Sequence, residues 1–283
     1  WICKEYGMKY ISFAAAAIVI LGASAAAAAQ TAFAAETVSS PDGSITAEIS
    51  CESGIINYNV YKDGISVLSD SRLGIRFEDA DMTSGLSLTG RSDNVIDESY
   101  SMPGGKASVY ENRANEAVLT FEKDGKELEL YVRVYDDGAA VRYGYSNDTR
   151  VISEETVFSF PAQHISTWAM EYEKSYEQFY LENELSALSG SYGMPMTLQL
   201  SNELYVMLTE AGLDGSYAGS VLNASDRDLR VGFEPKQTEP VEITGPFLSP
   251  WRTAVIGGLD TIVQTQMPEN LSEPCRIDDT SWI

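Results

Sequence analysis

Cationic side chains are scarce in this sequence: 19 lysines and arginines stand against 42 aspartates and glutamates, for a formal net charge of -23 over 283 residues. A surface of that sign repels phosphate backbones and anionic membranes, so nucleic acid and membrane are disfavoured as partners. A neutral sugar or a hard cation is compatible with it. Histidine is scarcer still, with His164 alone in the chain. No G-x-S-x-G, H-E-x-x-H or phosphate-cradling glycine loop is present, which removes the motif-borne routes to hydrolysis and nucleotide chemistry. The three cysteines, Cys3, Cys51 and Cys275, form no C-x-x-C, so zinc knuckles and dithiol redox motifs are excluded. Cys51 and Cys275 are expected as two buried free thiols, with pairing in an oxidising compartment as the alternative. Helical periodicity is almost absent, and no apolar run beyond the N-terminal region is long enough to span a bilayer.

The N-terminal region is built differently from the rest. Met8-Lys9 reads as the start, residues 11–21 are apolar, and an alanine-rich segment follows that ends Ala32-Phe33-Ala34-Ala35. A basic start, a short apolar stretch and small residues at an A-x-A site form a secretory signal peptide. Residues 1–35 are therefore expected to comprise seven upstream residues and a leader cleaved near Ala34 or Ala35, making the protein exported, periplasmic or extracellular.

From Ser39 onward, short alternating runs are separated by turn signals. Ile45, Ala47, Ile49 and Cys51 share one face of a run, and Ile56, Tyr58 and Val60 share another. Lys62-Asp63-Gly64, Lys123-Asp124-Gly125 and Tyr135-Asp136-Asp137-Gly138 punctuate further runs at 65–68, 73–77, 117–121, 128–134 and 139–145. More runs follow at 196–200, 205–209, 229–233 and 261–264. Period-two runs joined at Asp-Gly turns are hairpin signals, and many of them predict an all-β protein: an antiparallel sandwich of two large sheets. Residues 181–188 are expected to form one short helix. Asn-x-Ser/Thr triplets at Asn147, Asn223 and Asn270 matter only in a glycosylating host.

The chain turns on residues 168–180, where Trp168, Tyr172, Tyr176 and Tyr180 recur every four residues with carboxylates between them. The apolar residues do not alternate, so the stretch does not read as a strand. Its spacing fits one side of a helix, and equally a long loop pinned by its rings. Nothing in the spacing of the carboxylates picks out a catalytic pair, and no catalytic residue is assigned.

Four blocks, in order, carry a resemblance. They are Tyr135-Asp136-Asp137-Gly138-Ala139-Ala140-Val141-Arg142-Tyr143; His164 through Tyr180; Leu208-Thr209-Glu210-Ala211-Gly212-Leu213; and Ser249-Pro250-Trp251-Arg252-Thr253. The sequence closes with Glu273-Pro274-Cys275-Arg276-Ile277 and Ser281-Trp282-Ile283. Together they resemble the N-terminal domain of glycoside hydrolase family 97, which includes α-glucosidases and α-galactosidases. The resemblance implies a β-super-sandwich similar to galactose mutarotase over residues 36–277. Residues 278–283 would begin a linker to the family's (β/α)8 barrel, which carries the catalytic carboxylates and is missing from this sequence. It also implies a calcium ion shared between sandwich and barrel, to which Glu177 supplies one ligand, with Glu171 and Glu173 as alternatives if the register slips. The implied partners are the protein's own C-terminal barrel and an α-linked oligosaccharide.

The remaining marked residues are read structurally. Arg252 suits an interdomain contact or an internal carboxylate. Glu210 is a candidate partner for it or for a backbone turn, and His164 is expected to anchor the start of the aromatic loop. Trp168, Tyr176, Tyr180 and Trp251 are expected as structural or interface aromatics. Two other functions stay open at this point: a stand-alone carbohydrate-binding sandwich whose rings stack on sugars, and a sugar mutarotase or epimerase. The second needs an acid and a base across the ring carbon, for which a single histidine is poor provision.

Overall fold

The computed structural model describes residues 35–102, 104–161 and 164–275. Of the leader expected over residues 1–35, residues 1–34 lie outside the described residues, as does the linker expected over 278–283. None of the described helices is long and apolar enough to cross a membrane.

Alternation produces strands here because a half-buried sheet needs side chains of period two. Ile45–Glu52 turns Ile45, Ala47 and Ile49 inward, and Ile55–Lys62 turns Ile56, Tyr58 and Val60 inward; all six are buried. The two strands pair antiparallel from Ile45↔Lys62 to Glu52↔Ile55. Three hairpins turn on two residues with positive φ: Ser53-Gly54 (52° and 76°), Asp63-Gly64 (50° and 78°) and Asp124-Gly125 (53° and 77°). Two successive left-handed residues give the tight turn whose twist matches that of the strands, and aspartate followed by glycine tolerates it best.

All strand pairs are antiparallel. One ten-stranded sheet runs, in spatial order, through Leu181–Glu184, Ser166–Ala169, Met196–Gln199, Tyr205–Ala211, Trp251–Gly257, Gly138–Tyr145, Lys126–Tyr135, Tyr110–Lys123 and Ser87–Tyr100, with Phe247–Leu248 as a side branch. Three four-stranded sheets, rather than a second large one, bury their apolar sides with it in a single core. A smaller cluster lies on the other face of the large sheet, where Ala140, Ala211, Trp251 and Val255 meet Met267 and Leu271 of the C-terminal helical segment.

Local patterning misleads in two places. Residues 261–264, expected as a strand from Thr261, Ile262 and Val263, belong to the helix Leu259–Gln264. There Ile262 packs on the outer cluster while Val263 faces solvent, so tertiary packing overrides β-branched propensity. Conversely, Ser87–Tyr100 carries little alternation, yet it pairs with Tyr110–Lys123 from Ser87↔Glu122 to Tyr100↔Tyr110. It is an edge strand, and polar edges discourage unwanted pairing.

Gly138 marks the tightest approach at the centre of the large sheet. A Cβ there would lie 2.4 Å from the Ala254 carbonyl oxygen and 2.6 Å from Met267 Sδ. Gly138→Ala is expected to destabilise the protein by about 1–3 kcal/mol through overpacking, read as a lower urea midpoint with unchanged slope. An unchanged midpoint would show that both the Ala254–Val255 backbone and the Met267 side chain shift aside without cost.

Candidate functional site

The strand Trp251–Gly257 sends successive side chains to opposite faces. Trp251 joins the outer cluster, and Arg252 enters the core side, where its side chain is fully buried. A guanidinium there requires carboxylates, and two supply them. Glu154 accepts from Nε at 2.8 Å and from Nη2 at 2.7 Å, a bidentate fork, and Glu210 accepts from Nη1 at 2.7 Å. Glu210 is the cross-strand neighbour of Arg252, whereas Glu154 arrives from the end of Thr149–Glu154 in another sheet.

Glu154 is equally buried and is completed by Thr156 Oγ1 at 2.7 Å and the Tyr217 hydroxyl at 3.4 Å. Burial alone would lower the Arg252 pKa, but Glu154, and then Glu210, hold it above the usual arginine value. Desolvation, followed by the charge of Glu154, raises the Tyr217 phenol well above its ordinary range and raises Tyr143 as well. Tyr143 extends the network by sharing a 2.8 Å hydrogen bond with Thr156 and accepting from the Gly74 amide at 2.9 Å.

Glu210 leads outward to the aromatic loop. Trp168 and Ala169 end the strand Ser166–Ala169, contrary to the expectation that the stretch contains no strand, and residues 170–180 then form a loop rather than a helix. Its root is tied by backbone bonds from Tyr172 N to Ser191 O and from Gly193 N to Met170 O, both 2.9 Å. The Tyr172 and Tyr176 rings meet edge to face at 5.7 Å. Tyr176 holds φ at 56°, a left-handed conformation that costs a bulky residue on the order of 1–2 kcal/mol. Its ring lies above Gly193, where any Cβ would come within 3.5 Å of it. Desolvation, then the charges of Glu210 and Glu234 and the adjacent Tyr180, raise the Tyr176 phenol. Partial burial, followed by a hydrogen bond to Glu234, pushes Tyr172 up to about 12.

Beyond Tyr176 the loop is open. Tyr176, Phe179, Tyr180 and Leu181 are all exposed, Phe179 by 85%. Glu177 stands among them, exposed, with no hydrogen-bond or ion-pair partner among the described residues. Four of the expected residues, Tyr176, Tyr180, Glu210 and Arg252, are thus linked in one region. Trp168 is half-buried at the root, its ring 6.5 Å from that of Tyr205. Trp251 lies on the opposite face of the sheet.

Three expectations are corrected. His164 does not anchor the loop: its side chain is 89% exposed, and its only partner among the described residues is Glu184 at 3.8 Å. Residues 181–188 are not one helix. Leu181–Glu184 pairs residue for residue with Ser166–Ala169 as an edge strand, and only Leu185–Ala187 makes a 3-10 turn. The open edge of the sheet offers hydrogen bonds that a lone helical turn does not, and the leucine spacing arises because Leu185 and Leu188 bury at that turn. Both Cys51 and Cys275 are free, but only Cys51 is partly buried, and Cys275 is exposed.

Residues 38–274 match the family described as Glycosyl-hydrolase 97 N-terminal. The chain belongs to glycoside hydrolase family 97, as its N-terminal domain. A protein named "Probable retaining alpha-galactosidase" from Streptomyces bingchenggensis (strain BCW-1) is 32% identical over 241 residues, covering 83% of this chain and 37% of that protein. A family 97 enzyme from Pseudoalteromonas sp. strain K8, solved in complex with acarbose, superposes with a TM-score of 0.80 at 25% identity, covering 87% of this chain and 39% of the other. A beta-arabinopyranosidase structure gives 0.79 at 27% identity, covering 84% and 43%. The chain therefore spans less than half the length of these relatives.

For a family 97 N-terminal domain, the relevant test is whether the residues suit calcium. The chemistry of Glu177 fits, since a free exposed carboxylate is an oxygen donor of the right kind. The number does not: calcium takes about six to eight oxygens, and among the described residues no group of three or more His, Cys, Asp or Glu can hold a metal ion. Glu171 and Glu173 are also exposed, but Glu171 lies in a backbone bridge with Tyr192, and the Glu173 carbonyl accepts from Tyr176 N at 2.9 Å. Only Glu177 lies past the Tyr176 turn, on the open rim.

Sequence reasoning missed Glu154, Tyr217 and Glu234. An arginine inside Trp251-Arg252-Thr253-Ala254-Val255-Ile256 signals burial and hence a hidden carboxylate, but nothing local says which. Arg252→Met is expected to cost about 3–5 kcal/mol, because it leaves two carboxylates without their cation. Glu210→Gln retains a hydrogen-bonding partner at the solvent side and is expected to cost about 1 kcal/mol. Urea unfolding followed by near-ultraviolet circular dichroism measures both, and equal losses would contradict the central place of Glu154.

Proposed function

We propose that this domain is the supporting half of a split active site in an exported α-glycoside hydrolase. It carries no catalytic carboxylate of its own. It packs against the (β/α)8 barrel of the longer enzyme and presents Glu177 to a calcium ion shared with that barrel, at a boundary where an α-linked oligosaccharide binds. The observation that carries this reading is the rim Tyr176-Glu177-Gln178-Phe179-Tyr180-Leu181. It is apolar, exposed and held in a strained turn, with one unpaired carboxylate at its centre.

General physical chemistry supports each part. Exposed contiguous aromatics mark interaction surfaces, and strained backbone persists where surrounding packing fixes it for a purpose. Ligand sites favour domain boundaries. The ion would supply charge to fix or polarise substrate oxygens. The chain's own part is positional: Glu234 and the backbone bonds at the loop root hold Tyr172, and Tyr172 packs on the Tyr176 ring beside Glu177. The 32% identical relative named as an alpha-galactosidase supports α-galactosides as the first substrates to assay. Export rests on the leader pattern, and N-terminal sequencing of the secreted protein is expected to begin near residue 35 or 36.

A second reading, a stand-alone carbohydrate-binding sandwich, draws on the same exposed rings. The two are separated by assaying p-nitrophenyl α-glucoside and α-galactoside with the present chain and with the chain extended through whatever its gene codes next. Turnover is expected from the longer protein alone, and Glu177→Gln is expected to weaken it and raise the calcium it requires. Calorimetric titration of the present chain with calcium should show no saturable binding below millimolar concentration. Hydrolysis by the short chain would overturn the division of labour, and saturable binding of oligosaccharide by the short chain would favour the second reading.

A further inference from the structure

Trp251 is buried between two arginines on the outer face of the large sheet. The Arg133 guanidinium lies 4.8 Å from its ring centroid and that of Arg142 lies 4.3 Å away. Arg133 is answered by Glu116, at 2.8 Å from Nε and 2.7 Å from Nη2. On the other face, Arg252 is answered twice. Arg142 is not answered: among the described residues it makes no ion pair, and its Nε is buried without a hydrogen-bond partner. The rings of Trp251 and, at 5.1 Å, Tyr131 attract its cationic faces but do not satisfy in-plane N–H donors. Burial, then the like charge of Arg133, lowers its pKa against the opposing pull of Glu116 and Glu273, and a guanidinium remains charged at any physiological pH.

Arg142 stands where two clefts meet, of about 700 Å³ and 730 Å³. The first is walled by Gly212–Ser216 and the 242–249 segment, and the second by Tyr100, Asn112 and the 268–275 segment. The described chain therefore runs along the second cleft up to Cys275, beside the unanswered cation.

We propose that Arg142 is a docking site for a carboxylate side chain of the domain that follows this one, which enters the cleft as a bidentate partner. This inference rests on the reading that the chain is the N-terminal part of a longer enzyme. Charge and tethering both favour that occupant over a free anion. Glu98, Glu242, Glu269 and Glu273 line the clefts in a protein of net charge -23, so a dissolved anion is repelled. A domain joined next to the cleft arrives at high effective concentration and needs only local complementarity. The planar fork of arginine matches a carboxylate, which would supply the in-plane acceptor that Nε lacks.

The test uses the full-length enzyme and the present chain, each with Arg142→Gln. In the full-length enzyme the substitution is expected to split one thermal unfolding transition into two and to speed proteolysis after residue 275 by about tenfold or more, the scale of one charge-assisted contact. In the present chain it is expected to lower the melting temperature by much less than in the full-length enzyme, because only the contacts with the Trp251 and Tyr131 rings are lost. Equal losses in both lengths, or a full-length variant indistinguishable from wild type, would overturn the inference. So would a saturable acetate-induced rise in melting temperature of the present chain that Arg142→Gln abolishes, which would assign the site to a free anion. A gene that codes no further domain fails both this inference and the reading beneath it. An active full-length enzyme whose domains stay coupled in Arg142→Gln fails this inference alone.

Discussion

Arg252 is the point at which the parts of this domain constrain one another. A fully buried guanidinium is tolerable only if its donors are met, and here they are met by carboxylates from two sheets. Glu154 reaches Arg252 only when Thr149–Glu154 is seated correctly. Tyr217 reaches Glu154 only when its ring is stacked on Phe247, at 5.5 Å, and meets Phe233 edge to face, at 5.6 Å. Such a network adds little net stability compared with a well-packed apolar core. Its effect is on specificity, because any misregistered packing strands a charge in the interior. The same arginine fixes Glu210, whose charge helps raise the Tyr176 phenol on the outer loop.

How much of this was legible in the sequence depends on the range of the interaction responsible. Hairpins at Asp63-Gly64 and Asp124-Gly125 were legible because the turn conformation is written in two adjacent residues. The all-β class followed from their number. The order of the sheets was not legible, since it depends on which exposed edges meet after the hairpins form. The Arg252 site was half legible: its apolar neighbours announce burial, but Glu154 lies 98 residues away and reads as one acid among many. Leu181–Glu184 departs from the helix expected there because its partner is an edge made elsewhere in the chain, and nothing local to His164 signals that its side chain faces solvent. The aromatic stretch was legible as an element and not as a conformation. Four-residue spacing fits a helix or a loop, and the loop is tied instead by backbone bonds to Ser191 and Gly193, residues distant in the chain.

What the domain leaves unfinished is as informative as what it completes. A protein of this size can bury nearly all its large apolar side chains and pair its buried charges. Among the features left incomplete, two differ from isolated exposed side chains and single unpaired atoms: the contiguous exposed run from Tyr176 to Leu181, and Arg142, which among the described residues makes no ion pair and leaves Nε buried without a partner. They lie on different parts of the surface and differ in character. The first is apolar with a lone acid, and the second is a cation walled by acids. The first invites association, and the second leaves a buried donor without an acceptor.

On the proposed reading these two features do different work. An apolar rim drives association without fixing orientation, since burial of rings is nearly indifferent to a few degrees of rotation. A bidentate guanidinium–carboxylate pair is the reverse, contributing direction more than affinity. A metal shared across the same boundary would add a third condition, because one carboxylate from Glu177 cannot hold calcium without oxygens from the other side. Metal affinity and domain docking would then be one linked equilibrium, each strengthening the other by the same factor. On that reading the strained Tyr176 turn has a role, since a displacement of Glu177 by an ångström would be felt at the metal and, through it, at the substrate.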